Sequence, residues 1–288
     1  PQELKEGDRI GNEYTIYKVL GRGGYSRVFK VKHGIQGKDY ALKLFHESVN
    51  VATVIDEYKA LVELEHSNII KFVWNGETPN GQFYTLMEYL EGENLSTYPR
   101  TDARLPIHRV YQMATNILSA LAEMQSQAKT ILHRDIKPQN IIWDNKKRFV
   151  LIDFNVASLS EDNKDFVGTN PYLAPDLITE NYKVNWDRSA DTFALGITLY
   201  ELVCKQYPWA PQKTPLISKA PNDPRTIEPR LSDLFAEFLL KAIKTNNTQR
   251  FQNAQAMLDA LNSIGPDNIL SEQTIPEESG ESIDLAGN

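Results

Sequence analysis

A short polar run near the middle of the chain combines groups that could transfer a phosphoryl group. It offers a carboxylate that could act as a base and a lysine that could bind phosphate, in the order His133, Arg134, Asp135, Ile136, Lys137, Pro138, Gln139 and Asn140. Asn140 and, further along the chain, Asp153 carry the oxygen atoms that Mg²⁺ prefers as ligands. Phosphoryl transfer needs such a set because its transition state requires positioning and charge neutralisation rather than covalent help from the protein.

A cluster of glycines lies between two predicted strands near the N-terminus. It comprises Gly21, Arg22, Gly23, Gly24, Tyr25, Ser26, Arg27 and Val28. Glycine lets the backbone approach a phosphate without a Cβ atom in the way, and the exposed N–H groups complement negative oxygens. A plain hairpin turn would show a similar composition. The strand that follows argues against a dinucleotide-binding fingerprint, which requires a helix at that point.

Taken together, the motifs resemble those of eukaryotic-type (Hanks-type) serine/threonine protein kinases, and of bacterial or archaeal members in particular. The glycine cluster, with Ser26 where a third glycine usually falls, is followed by Tyr40-Ala41-Leu42-Lys43, the polar run 133–140, Asp153-Phe154 and the block 168–176. The resemblance covers about residues 10 to 264. It implies ATP- and Mg²⁺-dependent transfer of the γ-phosphate to Ser/Thr hydroxyls of a protein substrate.

Catalytic roles follow from the resemblance by matching position. Asp135 would orient and deprotonate the substrate hydroxyl, and Lys137 would neutralise charge on the γ-phosphate. Asn140 and Asp153 would bind magnesium.

Lys43 would hold the α- and β-phosphates of ATP on the same grounds. Its ion-pair partner would be Glu57 on the following predicted helix, with Asp56 and Glu63 as the competing acids. A lone lysine near a strand end is ordinarily surface charge, so this role depends on the resemblance.

The lobe-connecting hinge would read adenine through backbone groups, namely the carbonyl of Glu88 and the amide of Leu90, with Met87 as the gatekeeper. The other ATP contacts implied by the resemblance come from the glycine cluster and from apolar residues around the ring. They are Gly21, Arg22, Gly23, Gly24, Tyr25, Ser26, Val28, Ala41 and Ile142.

The block 168–176 resembles the end of a kinase activation segment, with Asp176 in place of the usual glutamate. Its partner would be Arg250, and the shorter aspartate side chain implies either a water-bridged pair or a closer approach of the backbones. Thr169 is the residue associated with serine/threonine kinases, where it touches the catalytic groups. Asp191 resembles the buried aspartate that anchors the catalytic loop, although a helix N-cap is equally compatible with its position.

Asp153-Phe154-Asn155 departs from the familiar Asp-Phe-Gly. Asparagine is one of the few non-glycine residues that reach a positive φ with modest strain, and it loses less backbone entropy than glycine on ordering. The metal ligand and the Phe154 packing group remain. We therefore hypothesise a stiffer conformational switch at Asn155.

The activation segment has few residues that could be phosphorylated, and this bears on how the chain is regulated. Arg134 often binds a phosphorylated activation-loop residue in the family it resembles. Ser158 and Ser160 are the only candidate phosphosites before Thr169, and nearby acids could supply negative charge instead. We expect activity without activation-loop phosphorylation.

The elements that must position these residues change character along the chain. Short β-rich runs dominate the first ninety residues, with one helix from about 51 to 65, and amphipathic or wholly apolar helices follow Gly92. Prolines preclude a long helix in 207–230. The prediction is an α+β bilobal kinase fold, with a β-rich N-lobe and hinge (1–90), a mostly helical C-lobe (91–264) and an acidic, flexible tail or linker (265–288).

Composition narrows the classes of partner. The net charge is −7, but residues 266–288 hold six acids and no Lys or Arg, which leaves a charge of about −1 on the rest of the chain. The sequence therefore has no basic region that would indicate nucleic acid or an anionic membrane as a partner. Cys204 is the only cysteine, in an apolar run that predicts a buried hydrophobe. A cytoplasmic setting is the default expectation, with further domains fused to or associated with the chain.

Two other functions are compatible with parts of the pattern. Asn155, Asp176 and the proline-broken segment would suit a pseudokinase that binds nucleotide or acts as a scaffold. A small-molecule kinase would share the catalytic aspartate, Asn140 and Asp153, but generally lacks a Thr169-to-Pro175 block with an Arg250 partner. An active serine/threonine protein kinase accounts for the most residues.

Overall fold

Six antiparallel strands form one sheet in the N-terminal part of the computed structural model, which describes residues 4–24, 26–47, 55, 58–59, 61–154, 170–181 and 183–271. The sheet order is β1-β2-β3-β4-β6-β5. The strands are β1 (Arg9–Ile10), β2 (Tyr14–Arg22), β3 (Ser26–His33), β4 (Asp39–Phe45), β5 (Phe72–Glu77) and β6 (Phe83–Glu88).

The central strand β4 explains why this sheet has two apolar faces. Its residues from Tyr40 to Phe45 are all buried. Tyr40, Leu42 and Leu44 face one hydrophobic cluster, which the N-terminal residues from Ile10 to Ile16 help to cover, whereas Ala41 and Phe45 belong to the larger core. Since successive side chains point to opposite faces, Lys43 lies on the same side as Ala41 and Phe45.

A second sheet follows the hinge. Its strands β7 (Gly92–Asn94), β8 (Ile141–Asp144) and β9 (Phe149–Leu151) pair in that order. A Cβ atom at Gly92 would lie 2.2 Å from the carbonyl oxygen of Trp143, so only glycine fits where β7 meets β8. The composition of these short strands did not predict this sheet.

The described residues of the C-terminal part include four α-helices: α1 (Ile107–Ser126), α2 (Arg188–Cys204), α3 (Asp233–Ala242) and α4 (Ala254–Ile264). Polar N-caps start three of them, through the side chains of Asp187, Ser232 and Asn253. Helix α2 is buried from Ser189 to Cys204, as its apolar sequence predicts. Cys204 is buried, and burial raises the pKa of its thiol to about 12.

Most predicted elements are present with adjusted ends. The described residues 55, 58–59 and 61–62 of the expected helix near 51–65 have helical backbone. Between 207 and 230 the helical structure is the short turn Pro224–Thr226, so no long helix forms there, as the prolines predict. No helix among the described residues is long and apolar enough to cross a membrane.

The boundary predicted at residue 265 requires a correction. Ile269 is 1% exposed, and Leu270 forms an isolated bridge with Leu231 just before α3. The chain therefore stays packed to residue 271, because an apolar pair follows the acidic Asp267 and anchors this stretch. The tail was predicted from the acidic charge of this stretch, which carries no information about the apolar residues Ile269 and Leu270. Residues 272–288 lie outside the described part of the chain.

Candidate active site

Asp191 anchors the loop that carries the polar run. Its carboxylate accepts hydrogen bonds from the backbone N–H groups of His133 (2.9 Å) and Arg134 (2.8 Å). Arg134 has φ of 65°, a left-handed conformation that is strained for this residue type and that these bonds hold in place. The N-cap of α2 is Asp187, so Asp191 lies in the first turn and the alternative N-cap role is excluded.

His133 is a buried, neutral packing residue. Its Nδ1 atom accepts from the Asp135 backbone N–H (3.3 Å), which leaves the proton on Nε2 to be donated to the Ile152 carbonyl (3.0 Å). Burial lowers the pKa of His133. The ring also packs against Phe154, with centroids 4.5 Å apart. His133 thereby ties the polar run to the segment that carries Asp153.

Two of the sequence-predicted residues, Lys137 and Asn140, contact the Asp135 carboxylate. Lys137 Nζ lies 2.8 Å from Asp135 Oδ2. The Asn140 amide nitrogen donates to the same oxygen and to the Asp135 carbonyl, both at 2.8 Å. No hydrogen bond to Asp135 Oδ1 is found among the described residues. That oxygen is the one left to accept a proton.

Lys43 and Asp153 form an ion pair between β4 and the segment after β9. The Lys43 Nζ atom lies 2.5 Å from Asp153 Oδ1 and 3.2 Å from the Phe154 carbonyl oxygen. Burial alone would lower the pKa of Lys43, but Tyr58 and Asp153 outweigh it and raise the pKa. Burial would raise the pKa of Asp153, but the charge and hydrogen bond of Lys43 lower it. Both groups are therefore charged near neutral pH.

A positive φ occurs at Asp153 itself, where it is 58°. The sequence analysis considered such a backbone conformation only for Asn155. Asn155 lies outside the described residues, as do Tyr25, Glu57, Ser158, Ser160 and Thr169. Their predicted roles stay predictions.

The glycine cluster and the predicted adenine contacts lie on neighbouring strands. Val28 on β3 is opposite Lys43 on β4, and Ala41 on β4 is opposite Met87 on β6. Ala41 and Met87 are buried, and Ile142 lies on β8 beyond the hinge. Gly23 N–H donates to the Ser26 carbonyl (2.8 Å) and closes the turn of the glycine cluster.

Leu20 is a candidate contact that sequence reasoning missed. It is a large apolar residue, it is 41% exposed, and it immediately precedes Gly21 on β2. An exposed leucine at the entrance to a glycine turn suits an apolar ligand surface. Its position directly before the glycines was the available signal.

Asp176 and Arg250 are in direct contact. The Arg250 Nη1 atom lies 2.9 and 3.1 Å from the two carboxylate oxygens, and the arginine side chain is fully buried. The Asn247 backbone N–H also donates to Asp176 Oδ2 (2.6 Å). Of the two arrangements left open by the sequence, the direct one is present. Residues 247–250 lie close enough to Asp176 for this direct contact, although aspartate is shorter than the usual glutamate.

Arg134 lies beside an aromatic residue that the sequence did not single out. Its guanidinium carbon is 5.7 Å from the ring centroid of Trp186. Trp186, Asn170, Tyr172 and Leu173 line a small cavity together with Arg134 and Asp135. The candidate base Asp135 and the residues 170–173 therefore border the same cavity.

Comparisons with known proteins agree on the family. The model of the protein kinase domain matches residues 14–261. Serine/threonine-protein kinase pkn3 of Myxococcus xanthus is 26% identical over 283 residues, which is 90% of this chain and 51% of that protein. DNA damage-responsive serine/threonine-protein kinase RqkA of Deinococcus radiodurans is 26% identical over 270 residues, which is 88% of this chain and 40% of that protein. The chain thus spans about half or less of the length of these two relatives.

Solved structures show the same fold. The kinase domain of PknI from Mycobacterium tuberculosis is similar with a TM-score of 0.67 and 24% identity, over 91% of this chain and 99% of that chain. Rad53 residues 1–466, solved in complex with AMP-PNP, gives a TM-score of 0.72 and 22% identity, over 86% of this chain and 64% of that chain. The predicted bilobal fold, with a β-rich and a helical lobe, is confirmed. Because the matching model covers most of the sequence and both lobes, the chain belongs to the protein kinase domain family.

Proposed function

We propose that this chain is an active serine/threonine protein kinase that transfers the γ-phosphate of ATP to a protein hydroxyl. The observation that carries the proposal is the arrangement around Asp135, whose Oδ2 atom is held by Lys137 and Asn140 while Oδ1 is left without a bond among the described residues. The relatives named as serine/threonine kinases support the choice of acceptor.

Asp135 acts as the base in this proposal. A Ser or Thr hydroxyl oxygen of the substrate forms a bond to the γ-phosphorus while the bond between that phosphorus and the β–γ bridging oxygen breaks. The hydroxyl proton passes to Asp135 Oδ1, and ADP leaves with the bridging oxygen. Lys137, 2.8 Å from Oδ2, supplies positive charge beside the transferring group.

The residues present fit a magnesium ion. Asn140 directs its amide nitrogen at Asp135, so its Oδ1 atom is the one available for a metal. Asp153 uses Oδ1 for Lys43, which leaves Oδ2. The Ile152 N–H bonds to the Asn140 carbonyl (2.9 Å) and ties the two candidate ligands together. Magnesium usually takes one or two carboxylates plus phosphate and water oxygens, and when bound it neutralises phosphate charge.

ATP would be held between the lobes. Lys43 would bind the α- and β-phosphates, and Glu57 is its proposed partner. Backbone groups of Glu88 and Leu90 would bind adenine, with Leu20, Val28, Ala41 and Ile142 around the ring. The division into two lobes at residue 90, a cytoplasmic setting and attached further domains belong to the same proposal.

The experiment has two stages. Thermal unfolding is measured with ATP alone, Mg²⁺ alone and both, and transfer of labelled γ-phosphate to the chain itself and to dephosphorylated casein follows. We expect a stabilisation that needs both ligands, and label on serine or threonine. A Mg²⁺-dependent stabilisation without transfer would favour the pseudokinase alternative.

Asp135→Asn separates binding from chemistry. It should keep the Mg²⁺-dependent stabilisation and lose transfer by about a hundredfold to a thousandfold, the usual effect of removing a positioned group. Asp144→Asn on β8 is a matched control. It makes the same change of side chain, but Asp144 binds Arg148 and does not belong to the group of residues around Asp135. Normal turnover by Asp135→Asn would show that the base is assigned wrongly.

A further inference from the structure

A cleft of about 410 Å³, which we call the hinge-side cleft, lies beside the hinge and holds none of the residues assigned to catalysis. Three stretches of chain border it: residues 37–39 between β3 and β4, the hinge residues 88–91, and residues 144–146 between β8 and β9. The first stretch belongs to the N-terminal lobe and the last to the C-terminal lobe. Clefts that bind small molecules typically measure about 300–1,000 Å³. This one is therefore large enough for a small ligand that contacts both lobes.

The turn on the C-terminal side of the cleft is tightly hydrogen-bonded. The Asp144 Oδ1 atom accepts from the backbone N–H groups of Lys146 (3.0 Å) and Arg148 (3.2 Å). The Asn145 N–H donates to the Glu91 carbonyl in the hinge (2.9 Å). The backbone that carries the Lys146 side chain is thereby fixed relative to the hinge.

Two further lysines border the cleft from the N-terminal lobe. Lys32 lies on β3, and the Lys38 carbonyl accepts from the His33 N–H (3.0 Å), which closes the turn before β4. The Lys32 ammonium lies 5.2 Å from the ring centroid of Tyr17, and the Lys38 ammonium lies 5.3 Å from that of Tyr40. An aromatic ring attracts an ammonium group but carries no net charge. Both positive charges therefore remain to be neutralised.

Three of the carboxylates at the cleft already have cationic partners. Asp39 pairs with Lys30 (3.0 Å), and Asp144 pairs with Arg148 (2.7 Å). Arg148 also lies 3.9 Å from the Glu88 carboxylate. By contrast, the three lysines that line the cleft form no ion pair within the part of the chain that the structure describes. With the two partner cations counted, the cleft has a small excess of positive charge.

A compact dianion suits this distribution of charge. A phosphomonoester carries about −1.5 to −2 charges at pH 7 and three acceptor oxygens, which is one oxygen for each ammonium group. Lysine binds phosphate as a point charge, and its flexible stem adapts to the ligand. A long polyanion would meet repulsion from the acids of the cleft, among them Glu91. The organic part of the ester can lie against Tyr89 and Leu90, which border the same cleft.

We propose that the hinge-side cleft binds a phosphomonoester group through Lys32, Lys38 and Lys146, and that the bound group links the two lobes. The group can belong to a free small molecule or to a phosphorylated side chain of a polypeptide, because both present the same dianion. The site is separate from the residues proposed to bind ATP phosphates, so the inference does not depend on phosphoryl transfer by this chain.

Calorimetric titration of the whole chain with O-phosphoserine tests the site. Mg²⁺ and AMP-PNP are present throughout to fill the proposed ATP site. We expect saturable binding with a Kd of about 1 mM. Lys38→Gln and Lys146→Gln should each raise the Kd about threefold to fivefold, because each removes one exposed ionic contact, and the double variant should raise it about tenfold or more. Serine without phosphate should not bind.

Lys147→Gln is the matched control. Lys147 follows Lys146 in the same turn but does not line the cleft. Its φ is 64°, and glutamine is no more strained there than lysine. The change removes the same charge from the same turn, so the Kd for O-phosphoserine should stay at the wild-type value. Thermal unfolding of each variant checks that the fold is intact.

A phosphoserine pentapeptide distinguishes the two sources of the group. Tighter binding of the peptide than of O-phosphoserine would identify a phosphorylated polypeptide as the ligand, and the reverse would identify a small molecule. The inference is overturned if neither probe binds saturably in the millimolar range. It is also overturned if the Lys38→Gln/Lys146→Gln double variant binds as well as wild type, or if Lys147→Gln weakens binding as much as Lys146→Gln. A chain that binds the probes but transfers no phosphate would contradict the proposed function alone.

Discussion

The Lys43 Nζ atom lies 2.5 Å from Asp153 Oδ1 and so connects the central strand of the N-terminal sheet to the segment that follows β9. The Lys43 side chain is 8% exposed and that of Asp153 is 44% exposed. Burial opposes the charged form of both groups, but Tyr58 and Asp153 together raise the pKa of Lys43, and Lys43 lowers that of Asp153. One contact thus joins a buried lysine to a metal-ligand candidate whose backbone has a positive φ.

Replacement of Lys43 by methionine should abolish most phosphoryl transfer. Methionine fills the buried volume but cannot neutralise phosphate charge or pair with Asp153. We expect kcat for casein phosphorylation to fall about a hundredfold to a thousandfold. Lys18→Met on the exposed part of β2 controls for the loss of one charge. Wild-type transfer by Lys43→Met, measured with labelled ATP, would show that phosphate is bound by other groups.

Replacement of Asp191 by alanine should damage both stability and activity. It leaves the backbone N–H groups of His133 and Arg134 without their acceptor, and each unsatisfied buried donor costs about 1–3 kcal/mol. The strained φ of Arg134 would also lose its support. Urea unfolding should show the loss of stability, and transfer assays should show a loss of activity at temperatures where the variant is folded.

Asp191→Asn distinguishes anchoring from mere packing. Asparagine has one acceptor oxygen instead of two, so it can hold only one of the two N–H groups at full strength. Its stability and kcat should lie between those of wild type and Asp191→Ala. If asparagine and alanine variants behave alike, hydrogen bonding is not what Asp191 contributes.

The contacts of the catalytic loop illustrate what the sequence could and could not predict. The run 133–140 predicted which residue types would come together, because base, lysine and amide are close in the chain. It could not predict that both the Lys137 and Asn140 contacts would reach the same oxygen of Asp135. Such a choice depends on rotamers and on backbone turns that tertiary packing decides.

Long-range contacts were predicted only where a resemblance supplied them. The Asp176–Arg250 pair joins residues far apart in the chain, and spacing alone would not have connected them. The hydrogen bond from the Tyr172 hydroxyl to Glu201 was not predicted, because the sequence analysis did not connect these two residues. The sheet of β7, β8 and β9 was missed because its strands have only three or four residues, too few for a period to show.

Removal of the Asp176 carboxylate should destabilise the C-terminal lobe strongly. Asp176→Ala leaves the fully buried Arg250 guanidinium without its counter-charge, and breaking a buried pair in this way typically costs about 3–5 kcal/mol. Urea unfolding at neutral pH measures the change. Arg225→Ala, in a half-exposed pair with Asp223, should cost far less because water screens that pair. Equal costs for the two variants would contradict the burial argument.

Protonation of His66 should weaken the fold as the pH falls. The Nδ1 atom of His66 accepts from the Asn68 backbone N–H (3.1 Å), and Nε2 lies 3.1 Å from Ser119 Oγ on α1. Asn68 in turn donates to the Phe149 carbonyl on β9 (2.8 Å). Burial lowers the pKa of His66, which favours the neutral ring that these contacts require.

The sign of the pH effect follows from proton uptake. In the unfolded chain histidine binds a proton near pH 6.5, whereas the folded chain binds it only at lower pH. Between those two pKa values the unfolded state holds more protons, so the free energy of unfolding falls as the pH is lowered through about 6.5 towards the folded pKa. The stability that neutral His66 contributes is fully present above about pH 6.5.

His66→Gln should therefore flatten the pH dependence of stability. Glutamine does not titrate, and its side chain can still bond Ser119. Urea unfolding between pH 5 and 8 should show a wild-type advantage at the upper end that shrinks towards the lower end. His133 shifts in the same direction but is present in both proteins, so it cancels in the difference. His108→Gln removes an exposed histidine from α1 and is the matched control. A wild-type advantage that stays constant across this range would mean that His66 contributes by packing and not through its protonation state.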